Sequence, residues 1–169
     1  MRAEANCRFV GPDDGAALTN PVGGQIVRKA SDEDTLGAYA LFKNSIPPRS
    51  RGPLPHIHHR HDEAFYVLEG ELTVHVGAQI ITAPAGSFVL VPRGTVHKPA
   101  NPGAQPVSFL LIFSPGGMDR FFADAAAGRV PIQTPSSDPA ALAALADFSA
   151  RYDFELADLP AAPAEDTSL

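Results

Sequence analysis

The sequence predicts an all-β domain, a sandwich or barrel of short strands, followed by two helices. Three observations carry this expectation. Between residues 25 and 113 the chain alternates short β-compatible apolar runs with turn formers. Its 17 prolines and 14 glycines are scattered among those runs instead of pooled in one segment. After Ser114-Pro115 the composition shifts to alanine-rich stretches with apolar residues at helical spacing.

Taken in order, residues 1–21 hold the turn formers Gly11-Pro-Asp-Asp-Gly15 and Asn20-Pro21 and predict an irregular arm or a short edge strand. Ile26-Val27 and Ala38–Phe42 predict two strands joined by the polar loop Ser31–Thr35. Five further strands are expected at Ala64–Leu68, Leu72–Val76, Gln79–Thr82, Ser87–Val91 and Val107–Phe113, with Phe88–Val91 read as a buried run. No helix of useful length fits between Gly52 and Phe113. Helices are expected over Met118–Ala127 and Asp138–Tyr152. The second has Asp138 as N-cap, Pro139 at its first position, and a stripe of Leu142, Leu145, Phe148 and Tyr152 to pack on the barrel. Residues 160–169 read as a frayed tail. The expected organisation is an arm (1–21), a barrel (22–114) and a helical extension with tail (115–169).

A length of 169 residues with 44% hydrophobic content suits one domain with a real core. A net charge of −6 and the lack of a Lys/Arg cluster argue against nucleic acid, whose binders neutralise phosphates. The single cysteine, Cys7, offers neither an internal disulfide nor a thiolate metal site. The first residues lack the apolar stretch of a secretory signal, and no run reaches the length of a membrane span, so the expectation is a soluble cytoplasmic protein without a membrane partner.

The chemistry concentrates in His56, His58, Glu63 and His97. His56 and His58 are two apart, so an extended strand points both imidazoles to one face. Glu63 would point the other way on an unbroken strand, but the polar stretch His59-Arg60-His61-Asp62 can turn and reset the parity. Phe65 and Val67 continue on the face of Glu63 and give the site an apolar neighbourhood. The tight turn Pro92-Arg93-Gly94 can aim His97 at the same interior. Imidazole nitrogens with one carboxylate suit one divalent transition metal, Fe, Mn, Ni, Co or Zn, and leave open positions on a metal that prefers six ligands. Open positions imply catalysis more than structure.

Other candidates have plainer readings. His59 and His61 sit in a polar turn where solvent exposure is the usual outcome. His75 alternates with Val74 and Val76 and can take either face. Phe65, Phe88, Phe109, Leu111 and Phe113 can wall a pocket for an aromatic substrate or serve as core, and core is the commoner role. Arg93, beside the second turn, can bind a substrate carboxylate or be a solvated turn arginine, and the second is the commoner role.

These residues resemble the two motifs of the cupin superfamily, G-x5-H-x-H-x3or4-E-x6-G and G-x5-P-x-G-x2-H-x3-N. The second is matched by Gly86, Pro92, Gly94, His97 and Asn101. The first is matched by His56, His58, Glu63 and Gly70, while Gly52 is separated from His56 by three residues where the motif has five. The resemblance is specific over residues 52–101 and extends as a barrel over 22–114. It implies a double-stranded β-helix with His56, His58, Glu63 and His97 as metal ligands, and often a homodimer through the N-terminal strands. Within the superfamily the chain looks most like small single-domain cupins of the quercetin dioxygenase type. The expected function is a metal-dependent dioxygenase acting with O2 on a small hydroxylated aromatic or enolic substrate, with Glu63 doubling as general base. The alternatives are a non-redox metal-dependent isomerase or polyketide cyclase, and a non-catalytic ligand-binding cupin.

Overall fold

The structure, a computed structural model, describes residues 7–20, 22–127, 129 and 139–160. Its elements are β1 (Ala16–Thr19), β2 (Gln25–Ala30), β3 (Ala40–Ile46), β4 (His56–Ile57), β5 (Asp62–Glu69), β6 (Glu71–Val76), β7 (Gln79–Pro84), β8 (Phe88–Val91), β9 (His97–Ala100), β10 (Val107–Ser114), α1 (Asp119–Ala126), α2 (Pro139–Tyr152) and β11 (Glu155–Leu156). The strands form two antiparallel sheets, β1-β2-β3-β10-β5-β8 and β11-β4-β9-β6-β7, which share one hydrophobic core.

Period-two alternation builds that core. Along β10 the side chains of Val107, Phe109, Leu111 and Phe113 are buried and those between them are less so. Register on both sides of β10 stacks the inward residues in three levels. Glu63, Phe113 and Ala40 share the first, Phe65, Leu111 and Phe42 the second, and Val67, Phe109 and Asn44 the third. The second sheet contributes Leu72 and Val74, which are fully buried, whereas His75 between Val74 and Val76 takes the outer, half-buried face.

The expected buried run at Phe88–Val91 is instead a one-sided strand. Val89 and Val91 are buried, but Phe88 is 60% and Leu90 53% exposed. The reason is topological: β8 is the edge of the six-stranded sheet and only its inner face meets the core. At the other edge, part of the N-terminal arm becomes β1, registered from Ala16↔Arg28 to Thr19↔Gln25. Lys29 Nζ fastens the preceding residues by donating to the carbonyls of Gly11 and Pro12 at 2.8 and 2.9 Å.

The helices close one end of the core through aromatic rings. Phe122 of α1 lies 4.9 Å from Phe42, and Phe121 lies 5.4 Å from Phe148 of α2. Phe148 and Tyr152 of the expected stripe are buried. Asp138, the side chains of Leu142 and Leu145, residues 1–6 and the tail beyond 160 lie outside what is described. Among the described residues, no helix is long and apolar enough to cross a membrane.

Arg93 is solvent-exposed, as expected of a turn arginine, and is also paired. Its Nε and Nη2 donate to Asp62 Oδ1 and Oδ2 at 3.0 and 2.9 Å, and its backbone N–H donates to Oδ1 at 2.9 Å. This clamp joins the start of β5 to the turn before β9, the two segments that carry Glu63 and His97. Arg93 holds the Asp62 carboxyl down at about 2 from its ordinary 3.8. A depressed carboxyl contributes stability above its ordinary value and loses it as pH falls through the folded value. Asp62→Asn is therefore expected to lower Tm modestly at pH 7, since an exposed pair is screened by solvent. The gap from the parent protein should narrow below pH 4 and vanish near pH 2, as thermal scans across that range would show.

Candidate metal centre

Two short segments deliver the site. β4 supplies His56, the chain leaves the sheet at His58, and β5 begins at Asp62, so the intervening turn resets the parity and brings Glu63 back inside. β9 opens with His97, paired directly across from His56. Gly52 has φ +68°, and a Cβ there would stand 1.8 Å from the Pro99 carbonyl oxygen, so only glycine lets the chain approach β9 on its way into β4. The Gly94 N–H donates to the His58 carbonyl at 2.7 Å and ties the two segments together.

His56, His58, Glu63 and His97 are all buried, and one donor atom from each lies within 4.8 Å of all the others. The four residues singled out in the sequence thus converge. Each imidazole is oriented through its other nitrogen. Nδ1 of His56 donates to Leu54 O at 2.8 Å, Nδ1 of His58 to Asp153 O at 2.6 Å, and Nδ1 of His97 to Thr95 O at 3.0 Å. A carbonyl can only accept, so each Nδ1 carries a proton and each Nε2 is left to face the common centre. Glu63 Oε2 sits 2.6 Å from His97 Nε2 and 3.3 Å from His58 Nε2.

The electrostatics suit a cation. Burial lowers His56 well below the ordinary imidazole range, and the neighbouring His97 and His58 add to that effect. Burial alone would raise Glu63, but the charge on His97 and hydrogen bonds from His58 and His97 outweigh it and keep the carboxyl ionised. For His97 burial works downward and is overcome by the Glu63 charge and hydrogen bond, which raise it. A buried carboxylate among imidazole nitrogens forms a hard-to-borderline donor set that fits a divalent transition ion.

The extension after the barrel completes the surround. β11 pairs with β4, setting Leu156 opposite His56 and Glu155 opposite Ile57. Phe154 stacks on His56 at 4.3 Å and 14°. Asp153, at φ +57°, supplies the carbonyl for His58, and its carboxylate accepts from the backbone N–H groups of His59 and Arg60 at 3.0 and 2.7 Å and from His61 Nδ1 at 2.7 Å. This grip corrects the expected exposure of His61, which is buried because a carboxylate arrives from another part of the chain; His59 is exposed and pairs with Glu155. Asp153→Asn keeps a residue tolerant of this backbone conformation but cannot satisfy all three donors. It is expected to leave the fold intact and weaken Co(II) affinity about 10- to 100-fold, the usual effect of losing an outer partner, in a competition titration.

A cavity opens from the centre. The barrel contributes Phe65, Phe109, Leu111 and Phe113 to its wall, and the extension contributes Phe121 and Phe154. Phe65, Phe109, Leu111 and Phe113 are core residues that also line this cavity, whereas Phe88 points outward. Asp153, Phe154 and the buried amides Asn20 and Asn44 escaped the sequence reading, since none stands in a motif and only the folded chain brings them to the site.

The Cupin domain family matches residues 44–113. With the fold and the motif residues, this makes that region a cupin domain. Quercetin 2,3-dioxygenase of Bacillus subtilis (strain 168) is 35% identical over 69 residues, covering 41% of this chain and 20% of that protein. Germin-like protein subfamily 2 member 2 of Arabidopsis thaliana is 32% identical over 120 residues, covering 66% of this chain and 54% of that one. The chain thus spans about half or less of these curated relatives. An RmlC-like cupin from Shewanella frigidimarina NCIMB 400 superposes with a TM-score of 0.57 at 22% identity, covering 68% of this chain and 96% of that one. That likeness is one of fold, a double-stranded β-helix.

Proposed function

We propose that the protein is a metal-dependent cupin enzyme, a dioxygenase acting on a small hydroxylated aromatic or enolic molecule. The observation that carries this reading is the convergence of three imidazoles and one carboxylate at the end of a cavity walled by phenylalanines. Similarity to a quercetin dioxygenase over a stretch of 69 residues supports the choice of substrate class. His56, His58, Glu63 and His97 would hold the ion, which when bound would acidify a coordinated hydroxyl and offer open positions to substrate and O2. The chain's own part is positional. Phe65, Phe113 and Phe154 exclude water and pack on the faces of an aromatic ring. Glu63, beside the ion, offers a carboxylate oxygen to accept the proton of a substrate hydroxyl.

Oxygen-electrode assays of protein reconstituted separately with Fe, Mn, Co and Ni, against flavonols and simpler enols, test the reading. Consumption of O2 with ring or enol cleavage is the expected result. Turnover that persists anaerobically with Zn would replace it with isomerisation or cyclisation, and metal-loaded protein inert towards every compound would leave a binding module.

A further inference from the structure

We infer that Asn44 is a specificity-determining residue whose side-chain amide donates a hydrogen bond to an oxygen at the far end of the substrate; the assignment rests on the metal-centre reading above. Asn44 is out of keeping with its place. It occupies the inward register of β3 between Phe42 and Ile46, which are 0% and 1% exposed, and is itself 8% exposed. A primary amide in such a position is costly unless its donors and acceptor are used.

The hydrogen bonds fix which way that amide points. Asn20 Oδ1 accepts from the Val22 N–H at 3.1 Å, so its Nδ2 is the atom facing β3, where it donates to Ser45 O at 3.3 Å and to Asn44 Oδ1 at 2.9 Å. Asn44 must therefore present oxygen to Asn20, because two amide nitrogens cannot bond each other. Its own Nδ2 then carries two N–H donors, and these donate to no partner among the described residues. Asn44 and Asn20 line the same cavity as His56, His58 and Glu63. An unused donor pair on a buried residue, accessible from a largely apolar cavity, is a recognition element for an acceptor oxygen.

Register gives the length of the molecule that would use it. Asn44 lies on the third inward level and Glu63 on the first, with Phe65 and Leu111 between them. Four residues of strand separate those levels, about 13 Å at the usual rise of ~3.3 Å per residue. A ligand serving both ends is elongated and flat, apolar in its middle where it crosses Phe65 and Leu111, and oxygenated at each end. One oxygen goes to the histidine and glutamate cluster and the other, a carbonyl or hydroxyl, to Asn44. Two fused or linked rings are of the right order of length, and the cavity, about 70 Å³ without ligand, must widen between the Phe65 and Phe113 side chains to admit them, whereas a single hydroxylated ring would leave the Asn44 donors unmet.

The test is a comparison of two probes on two proteins. Affinities of 2,6-dihydroxynaphthalene and 2-naphthol for Co-loaded protein, measured by isothermal titration calorimetry, should favour the diol about tenfold, the scale of one neutral hydrogen bond. In Asn44→Leu and in the less crowded Asn44→Ala the two probes should bind alike. Preference for the diol retained in both variants, equal binding of the two probes by the parent, or binding of neither would overturn the assignment. Metal content of the same samples separates this inference from the reading beneath it. A parent protein that takes up no transition ion removes the enzymatic reading, whereas a loaded parent indifferent to the distal hydroxyl removes the role of Asn44 alone.

Discussion

Protein carrying His97→Ala is expected to emerge without a bound transition ion and to lose stability even before metal is added. The first effect follows from deleting one of four convergent donors, whose removal should cost more than the ~10–100-fold that an outer partner costs. The second follows from Glu63. In the metal-free protein its carboxylate depends on the His97 Nε2 at 2.6 Å, with His58 farther away at 3.3 Å. Breaking a buried pair from one side leaves a charge in a low-dielectric site, a loss on the order of 3 kcal/mol. Urea denaturation of chelator-treated protein would reveal the stability loss, and elemental analysis after reconstitution the loss of metal. His97→Gln offers an N–H to Glu63 and should recover part of the stability without restoring the parent affinity. A variant as stable as the parent when metal-free, and equally loaded, would remove His97 from the centre.

The second large effect belongs to the core. Phe42 is fully buried, with Phe122 at 4.9 Å and Phe113 at 6.2 Å, so it joins the six-stranded sheet to α1. Phe42→Ala should cost about 3–5 kcal/mol by loss of buried area and by leaving a cavity. The damage should extend to the helical extension, because the ring that α1 packs on is gone. Equilibrium denaturation gives the magnitude. Proteolysis of the extension, faster than in a surface variant of equal global stability, would locate it.

Much of the barrel could be read from the chain because its information is local. Leu72 and Val74 alternate with polar neighbours, Gly70 and Gly94 punctuate, and a period of two needs no partner to be recognised. The convergence of the four candidate residues was legible for the same reason: His56-x-His58 and the turn before His97 encode direction within a few residues. Burial of His61 was not legible, since it depends on Asp153, 92 residues further along. The outward turn of Phe88 and Leu90 depends on β8 being an edge, a property of sheet order that no run of four residues states. Asn44 carries no signal of its own in the sequence; its meaning comes from Asn20, 24 residues earlier, and from a cavity that neither segment forms alone.

The pairing of β11 with β4 has a thermodynamic corollary. β4, the two-residue strand that bears His56, is held on one side by β11 and on the other by β9, so seating of β11 and occupancy of the proposed centre would be linked functions of a single equilibrium. Displacing β11 would then release an ion held there, and a bound ion would in turn hold β11 against β4.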